Sequence, residues 1–128
     1  MALAEHFKGG KIYVWKGTFA IIKAKKPLQG ALAVIRDKNG ITVVIDQKKV
    51  KPEDVLDIKK GWKAITIEII SPFEIVGFLG KLGNAMAEEG ISVCVVPSYS
   101  ADHVLVREND LERAVRKFQK LGCSVEYG

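Results

Sequence analysis

Apolar positions recur with two different periods along the chain. From Ala64 to Ile70 (AITIEII) apolar and β-branched residues run almost unbroken up to Ser71-Pro72. A run of that length is far short of a membrane span and predicts a strand buried on at least one face. The period then changes. Ile75, Leu79, Leu82 and Met86 fall at helical spacing, and Val76 and Phe78 widen the stripe. Ser71-Pro72 sets a cap-type residue and a proline where a helix begins. The spacing predicts a helix from Phe73 to Glu89, stopped by Gly90. Ile91 to Val96 (ISVCVV) predicts a second strand, Pro97 to Asp102 a polar loop, and the alternating His103 to Arg107 (HVLVR) a third strand. Asn109 or Asp110 caps a second helix with apolar positions Leu111, Ala114, Val115, Phe118 and Leu121, ended by Gly122. Cys123 to Tyr127 (CSVEY) predicts the closing strand.

The second half therefore runs β-α-β-β-α-β, the order of a ferredoxin-like unit in the α+β class, with both helices on one sheet face. The first half is richer in strands: Lys11 to Lys16, Thr18 to Ala24, Ala31 to Asp37 and Ile41 to Asp46. Asn39-Gly40 between the last two is a hairpin signal. Pro52 to Ile58 predicts one short helix, and Lys25 to Gly30 is too short for one. By element order, the first half is expected to be a degenerate copy of the second. The chain then divides into residues 1–60 and 61–128, with Trp62 at the junction. Gly77, Gly80 and Gly83 lie inside the predicted first helix, each costing about 1 kcal/mol against Ala. Gly80 and Gly83 are expected to let that helix approach a sheet or another helix closely.

Composition narrows the function classes. The 128 residues carry a net charge of +5, with the cations dispersed. No groove-reading motif accompanies them, and the central strands offer Ile, Val and Cys rather than stacking aromatics, so nucleic-acid binding is disfavoured. Cys94 and Cys123 sit in apolar runs and read as small core residues; no Cys/His spacing suits a metal. The first ten residues lack the long apolar stretch of a signal peptide, and no run approaches 18 apolar residues. A cytoplasmic protein without a membrane partner is expected. The glycines of the first helix are not a phosphate loop, since no Lys-Ser/Thr follows Gly83. Asp102-His103 invites an acid/base reading, but neighbours on a strand point to opposite faces. No nucleophile–base pair or metal set marks an enzyme.

Two polar segments stand out, the turn at Ser71-Pro72 and the loop Ser98 to Asp102. Together they suggest a small-molecule site. Plainer roles remain open: Ser71-Pro72 as a helix cap, Phe73 as a core lid, the loop as a bare connection, and Tyr99 as a contact in a dimer.

The second half resembles an ACT domain, and the whole chain resembles short prokaryotic proteins with tandem ACT domains, related to aspartate-kinase-type modules and to arginine sensors of animals. The resemblance rests on Gly61-Trp62-Lys63-Ala64, on Ser71-Pro72-Phe73 with Ile75 to Leu79, and on Glu89-Gly90-Ile91-Ser92-Val93. Ser98-Tyr99-Ser100-Ala101-Asp102-His103-Val104-Leu105-Val106 and Leu111-Glu112-Arg113-Ala114 complete it. Pro97 before the serine, Ser100-Ala101 in place of a threonine region, and His103 where an aromatic is common depart from the family pattern.

The resemblance implies a regulatory module that binds an amino acid at an interface between ACT units. Carried over position by position, the ligand-binding residues are Ile70, Ser71, Pro72, Phe73, Glu74 and Ile75, with Val96, Ser98, Tyr99, Ser100, Ala101 and Asp102. The chemistry suits them. Free N–H groups at a helix start receive a carboxylate, and the dipole adds about 0.3–1 kcal/mol. Asp102 and Glu74 are acceptors for an ammonium group, and the hydroxyls of Ser98, Tyr99 and Ser100 can orient a side chain. The expected protein is a homodimeric sensor with no cofactor and no catalysis. The other reading is a protein–protein interaction module with no small ligand. With no enzyme domain in these residues, the module is expected to act on a partner, report by assembly or buffer a ligand.

Overall fold

The computed structural model describes residues 7–68 and 77–128. Two compact units form: one contains Met1–Lys16 and Lys63–Gly128, the other Gly17–Trp62. The strands are β1 (Lys11–Val14), β2 (Phe19–Ala24), β3 (Ala33–Asp37), β4 (Gly40–Asp46), β5 (Val55–Glu68), β6 (Cys94–Pro97), β7 (Asp102–Arg107) and β8 (Ser124–Tyr127). The helices are α1 (Phe78–Glu88) and α2 (Leu111–Lys120). The class is α+β, and β5-α1-β6-β7-α2-β8 is the ferredoxin-like βαββαβ series.

In the larger unit the strands lie in the order β6-β7-β5-β1-β8. β1 comes from the start of the chain yet lies between β5 and β8, antiparallel to the first (Val14 opposite Ile65) and parallel to the second (Val14 opposite Tyr127). Alternation sends Ile12, Val14, Ile65, Ile67, Val104 and Val106 to the face bearing the helices, where they join Phe78, Leu82, Met86, Val115 and Phe118 in one core. The Phe7 ring packs on Phe78 and Phe118, centroids 5.5 and 6.1 Å away. The stripe of α2 is buried at Ala114, Val115, Phe118 and Leu121, with Leu111 half-buried. In α1 the buried set is Phe78, Leu82, Ala85 and Met86, while Leu79 lies on the flank and is 54% exposed.

Both helices end as their glycines dictate. Gly90 and Gly122 have φ of 69° and 104°, and Ile91 and Cys123 donate back to Met86 and Phe118 at 3.0 Å. That bond ties Ile91 to the helix end, so β6 starts at Cys94 instead of Ile91. At its start, α1 is preceded by Gly77 in the left-handed region (φ 70°); the helix expected over 73–76 lies outside the described residues. Gly80 and Gly83 face open space, so the close approach expected there does not occur among the described residues.

In the smaller unit β3, β4, β2 and the first part of β5 form an antiparallel sheet. Asp37 faces Gly40 across the hairpin, and Asp37 Oδ1 accepts from Asn39 N at 2.7 Å. Its core is Ala20, Ile22, Ala24, Val43 and Ile45, packed with Leu28, Val50, Val55 and Ile58. The helix expected over Pro52 to Ile58 is replaced by one 3-10 turn, Pro52–Asp54, after which β5 begins. Val55 and Ile58 instead pair with Ala24 and Ile22. An isolated helix of under two turns is a poor alternative to a ladder that satisfies the same backbone groups.

Glycine substitutions test this packing. Gly83→Ala is expected to raise the unfolding free energy by about 0.5–1 kcal/mol, since it gains helix propensity without a clash. Gly122→Ala is expected to lower it by about 1 kcal/mol or more, because φ is 104° and the new Cβ would stand 2.9 Å from Lys8 Cα. Urea unfolding of the two variants separates the effects.

Candidate functional site

The loop after β6 is built by one serine. Pro97 and Asp102 pair across its mouth, and both the backbone N–H and the hydroxyl of Ser98 donate to the Ala101 carbonyl, each at 2.9 Å. This closes a four-residue turn. Ala101 is buried and Ser100 exposed, while the Tyr99 ring is 95% exposed. Val96 is half-buried and stands opposite His103.

The loop is joined to the sheet through His103. Its Nε2 lies 3.0 Å from Ser98 Oγ and its Nδ1 lies 2.7 Å from Thr66 Oγ1 on β5. Trp15 Nε1 donates to the same Thr66 oxygen at 2.6 Å. Thr66 and His103 lie by alternation on the sheet face opposite Ile65 and Val104. Burial pushes the His103 pKa below the ordinary 6.5, and the nearby Asp102 charge opposes that shift.

Asp102, by the same alternation, falls on the face of Val104 and Val106. It is 5% exposed. Among the described residues its carboxylate forms no side-chain hydrogen bond and no ion pair. Burial pushes its pKa above the ordinary 3.8, and the His103 charge pulls the other way. A buried carboxylate without an ion pair among the described residues costs folding free energy.

Of the sequence-predicted residues, the structure brings Val96, Ser98, Tyr99, Ser100, Ala101 and Asp102 together in and beside one loop. Ile70, Ser71, Pro72, Phe73, Glu74 and Ile75 lie outside the described residues. Trp15, Thr66 and His103 were absent from that set. The signal for Thr66 was available: a hydroxyl inside the apolar run AITIEII needs a buried partner. Its partner, His103, is 37 positions away. Nothing in the local pattern of KIYVWK points Trp15 toward it.

Among the described residues no group of three His, Cys, Asp or Glu side chains is placed to hold a metal ion, and no helix is long and apolar enough to cross a membrane. Two concavities of the smaller unit, of about 220 and about 350 Å³, hold none of the predicted residues; Lys23, Asp57 and Lys59 line the first, and Val50, Val55 and Lys60 the second.

Known proteins agree with this architecture. Residues 57–120 match the family model of the ACT domain. The chain belongs to the ACT domain family. A search of curated proteins finds no match. A crystal structure from Vibrio cholerae, described as a protein of unknown function and possible transport protein, superposes with a TM-score of 0.76 at 21% identity, covering 93% of this chain and 94% of that one. A protein from Agrobacterium tumefaciens superposes with a TM-score of 0.72 at 20% identity over 93% of each chain. The ligand-free regulatory subunit of aspartate kinase from Thermus thermophilus superposes with a TM-score of 0.64 at 11% identity, over 89% of this chain and 97% of that one. These likenesses show a shared fold.

Replacing the buried charge tests its electrostatics. A carboxyl pKa raised by folding adds stability below pH 3.8 and loses it as the pH rises through the raised value. Asp102→Asn is therefore expected to stabilise the protein at neutral pH by about 1 kcal/mol. The difference from wild type is expected to shrink as the pH is lowered toward 4 or below, about where carboxyls take up protons. Denaturant midpoints across pH measure it.

Proposed function

We propose that the chain is a regulatory protein that binds a free amino acid and performs no catalysis. The observation that carries this reading is Asp102, a buried carboxylate with no counter-charge among the described residues, beneath a loop of hydroxyl side chains. An α-ammonium group would supply the missing charge. Tyr99 and Ser100 would orient the rest of the ligand while Ser98 holds the loop, and residues 70–75 would receive its carboxylate through backbone N–H groups. We also propose that the degenerate ACT-like unit expected over residues 1–60 is the compact unit of residues 17–62. Its sheet and apolar face support that, with a 3-10 turn where a helix was expected. The working form is proposed to be a cytoplasmic homodimer in which a second ACT unit closes the pocket. The short edge strand β6 and the exposed Tyr99 beside it suit such a contact.

The second reading, a protein-interaction module without a small ligand, is favoured by Leu79 and Tyr99, which are 54% and 95% exposed. A thermal-shift screen of the twenty amino acids decides between them. A ligand at 100 times its Kd should stabilise by about 2.7 kcal/mol, several degrees for a domain of this size. Asp102→Ala should weaken that ligand by about ten- to a hundredfold in calorimetric titration, the value of a hydrogen bond to a charged group. A flat screen with folded protein favours the interaction module.

A further inference from the structure

We infer that His103 is the positioning residue of the ligand loop, and that the loop keeps its binding form only while His103 is a neutral imidazole with its hydrogen on Nε2. The inference rests on the proposed ligand site.

The hydrogen count fixes the tautomer. Ser98 has one hydroxyl hydrogen, and it goes to the Ala101 carbonyl. Toward His103 the Ser98 oxygen therefore accepts, so Nε2 must carry a hydrogen. In the neutral ring Nδ1 is then bare and accepts the Thr66 hydroxyl hydrogen. The Thr66 oxygen in turn accepts from Trp15 Nε1, which can only donate. The hydrogens run in one direction, from Trp15 to Thr66 to His103 to Ser98 to the Ala101 carbonyl.

A second proton on His103 has only Nδ1 to occupy, and it meets the hydrogen Thr66 donates there. Thr66 must then turn that hydrogen away, although its side chain is nearly buried and the Trp15 hydrogen already fills one acceptor site. Burial disfavours the charged ring as well. Asp102 works in the opposite sense: its carboxylate favours the proton. Among the described residues of the larger unit, the charged and titratable groups on the neighbouring elements are Lys11 and Tyr13 of β1, Lys63 and Glu68 of β5, Cys94 of β6 and Tyr99 of the loop. The charge that acts on His103 is that of Asp102. An ammonium ligand that engages Asp102 removes that pull, so ligand binding and protonation of His103 oppose each other.

The sign follows. A histidine whose folded pKa is lowered stabilises the neutral arrangement above pH 6.5 and loses that contribution as the pH falls toward the lowered value. Affinity for the amino acid should fall with it, approaching tenfold per pH unit for one coupled proton. Thr66→Val removes the donor to Nδ1 while keeping the side-chain shape, and should weaken binding by about two- to tenfold. His103→Leu should weaken it further. His103→Gln, whose amide can still donate to Ser98, should recover part of that loss and should lose the share of the pH dependence that the ring carries, leaving the share that Asp102 carries.

Two measurements on the full chain decide the matter. Long-range proton–nitrogen NMR spectra of the histidine rings, with His103 assigned by its loss in His103→Gln, report the tautomer without any ligand. Calorimetric titration of the amino acid found in the screen reports affinity against pH. A ring hydrogen on Nε2 at neutral pH, with an affinity that falls more steeply in acid for wild type than for His103→Gln, supports the inference. A hydrogen on Nδ1, or an Nε2 tautomer with the same pH dependence of affinity in wild type and His103→Gln, overturns it. If no amino acid binds the folded protein at any pH, the ligand reading fails by itself. Amide exchange of Ser98 to Ala101 then tests His103: exchange that rises with ring protonation supports its hold on the loop, and unchanged exchange overturns it.

Discussion

Strand β1 is the constraint on which the larger unit depends. Four residues, Lys11 to Val14, occupy the position between β5 and β8. Without them the inner edges of both strands would present unpaired backbone groups. The same segment delivers Phe7 to the space between Phe78 and Phe118, and Trp15 to Thr66. The unit is thus closed by contacts between the two ends of the chain, such as Cys123 Sγ donating to the Phe7 carbonyl at 3.4 Å. Burial of that thiol pushes its pKa to about 11, which keeps it an inert core group.

On this frame, β7 carries two polar neighbours with opposite surroundings. His103 has a partner at each ring nitrogen and belongs to a satisfied chain. Asp102 turns to the helix-bearing face and has no such partner among the described residues. The first arrangement makes the loop geometry definite; the second leaves a carboxylate without an ion pair among the described residues. In the proposed reading that carboxylate would supply the difference between free and bound states that a ligand-driven response needs.

Much of the larger unit was legible in the sequence because its signals are local. Gly90 and Gly122 end their helices through left-handed caps, and the α2 stripe buries the residues its period names. Asn39-Gly40 turns the hairpin. The misreadings also have local causes. Pro52 begins a turn that looks like a helix start until the ladder with β2 claims Val55 and Ile58. The strand expected from Ile91 loses its first residues to the helix end, since Ile91 donates back to Met86.

By itself the sequence determined the α+β class, the element order from β5 onward, and the loop from Val96 to Asp102 as a polar segment between strands. Those follow from side-chain period, caps and turn chemistry, which act over a few residues. Only the tertiary structure decided that β1 lies between β5 and β8, that Thr66 and Trp15 hold His103, and that the Asp102 carboxylate is buried without a counter-charge among the described residues. Strand pairing and burial are set by which distant surfaces fit, and a hydroxyl in an apolar run does not say which of many residues will reach it.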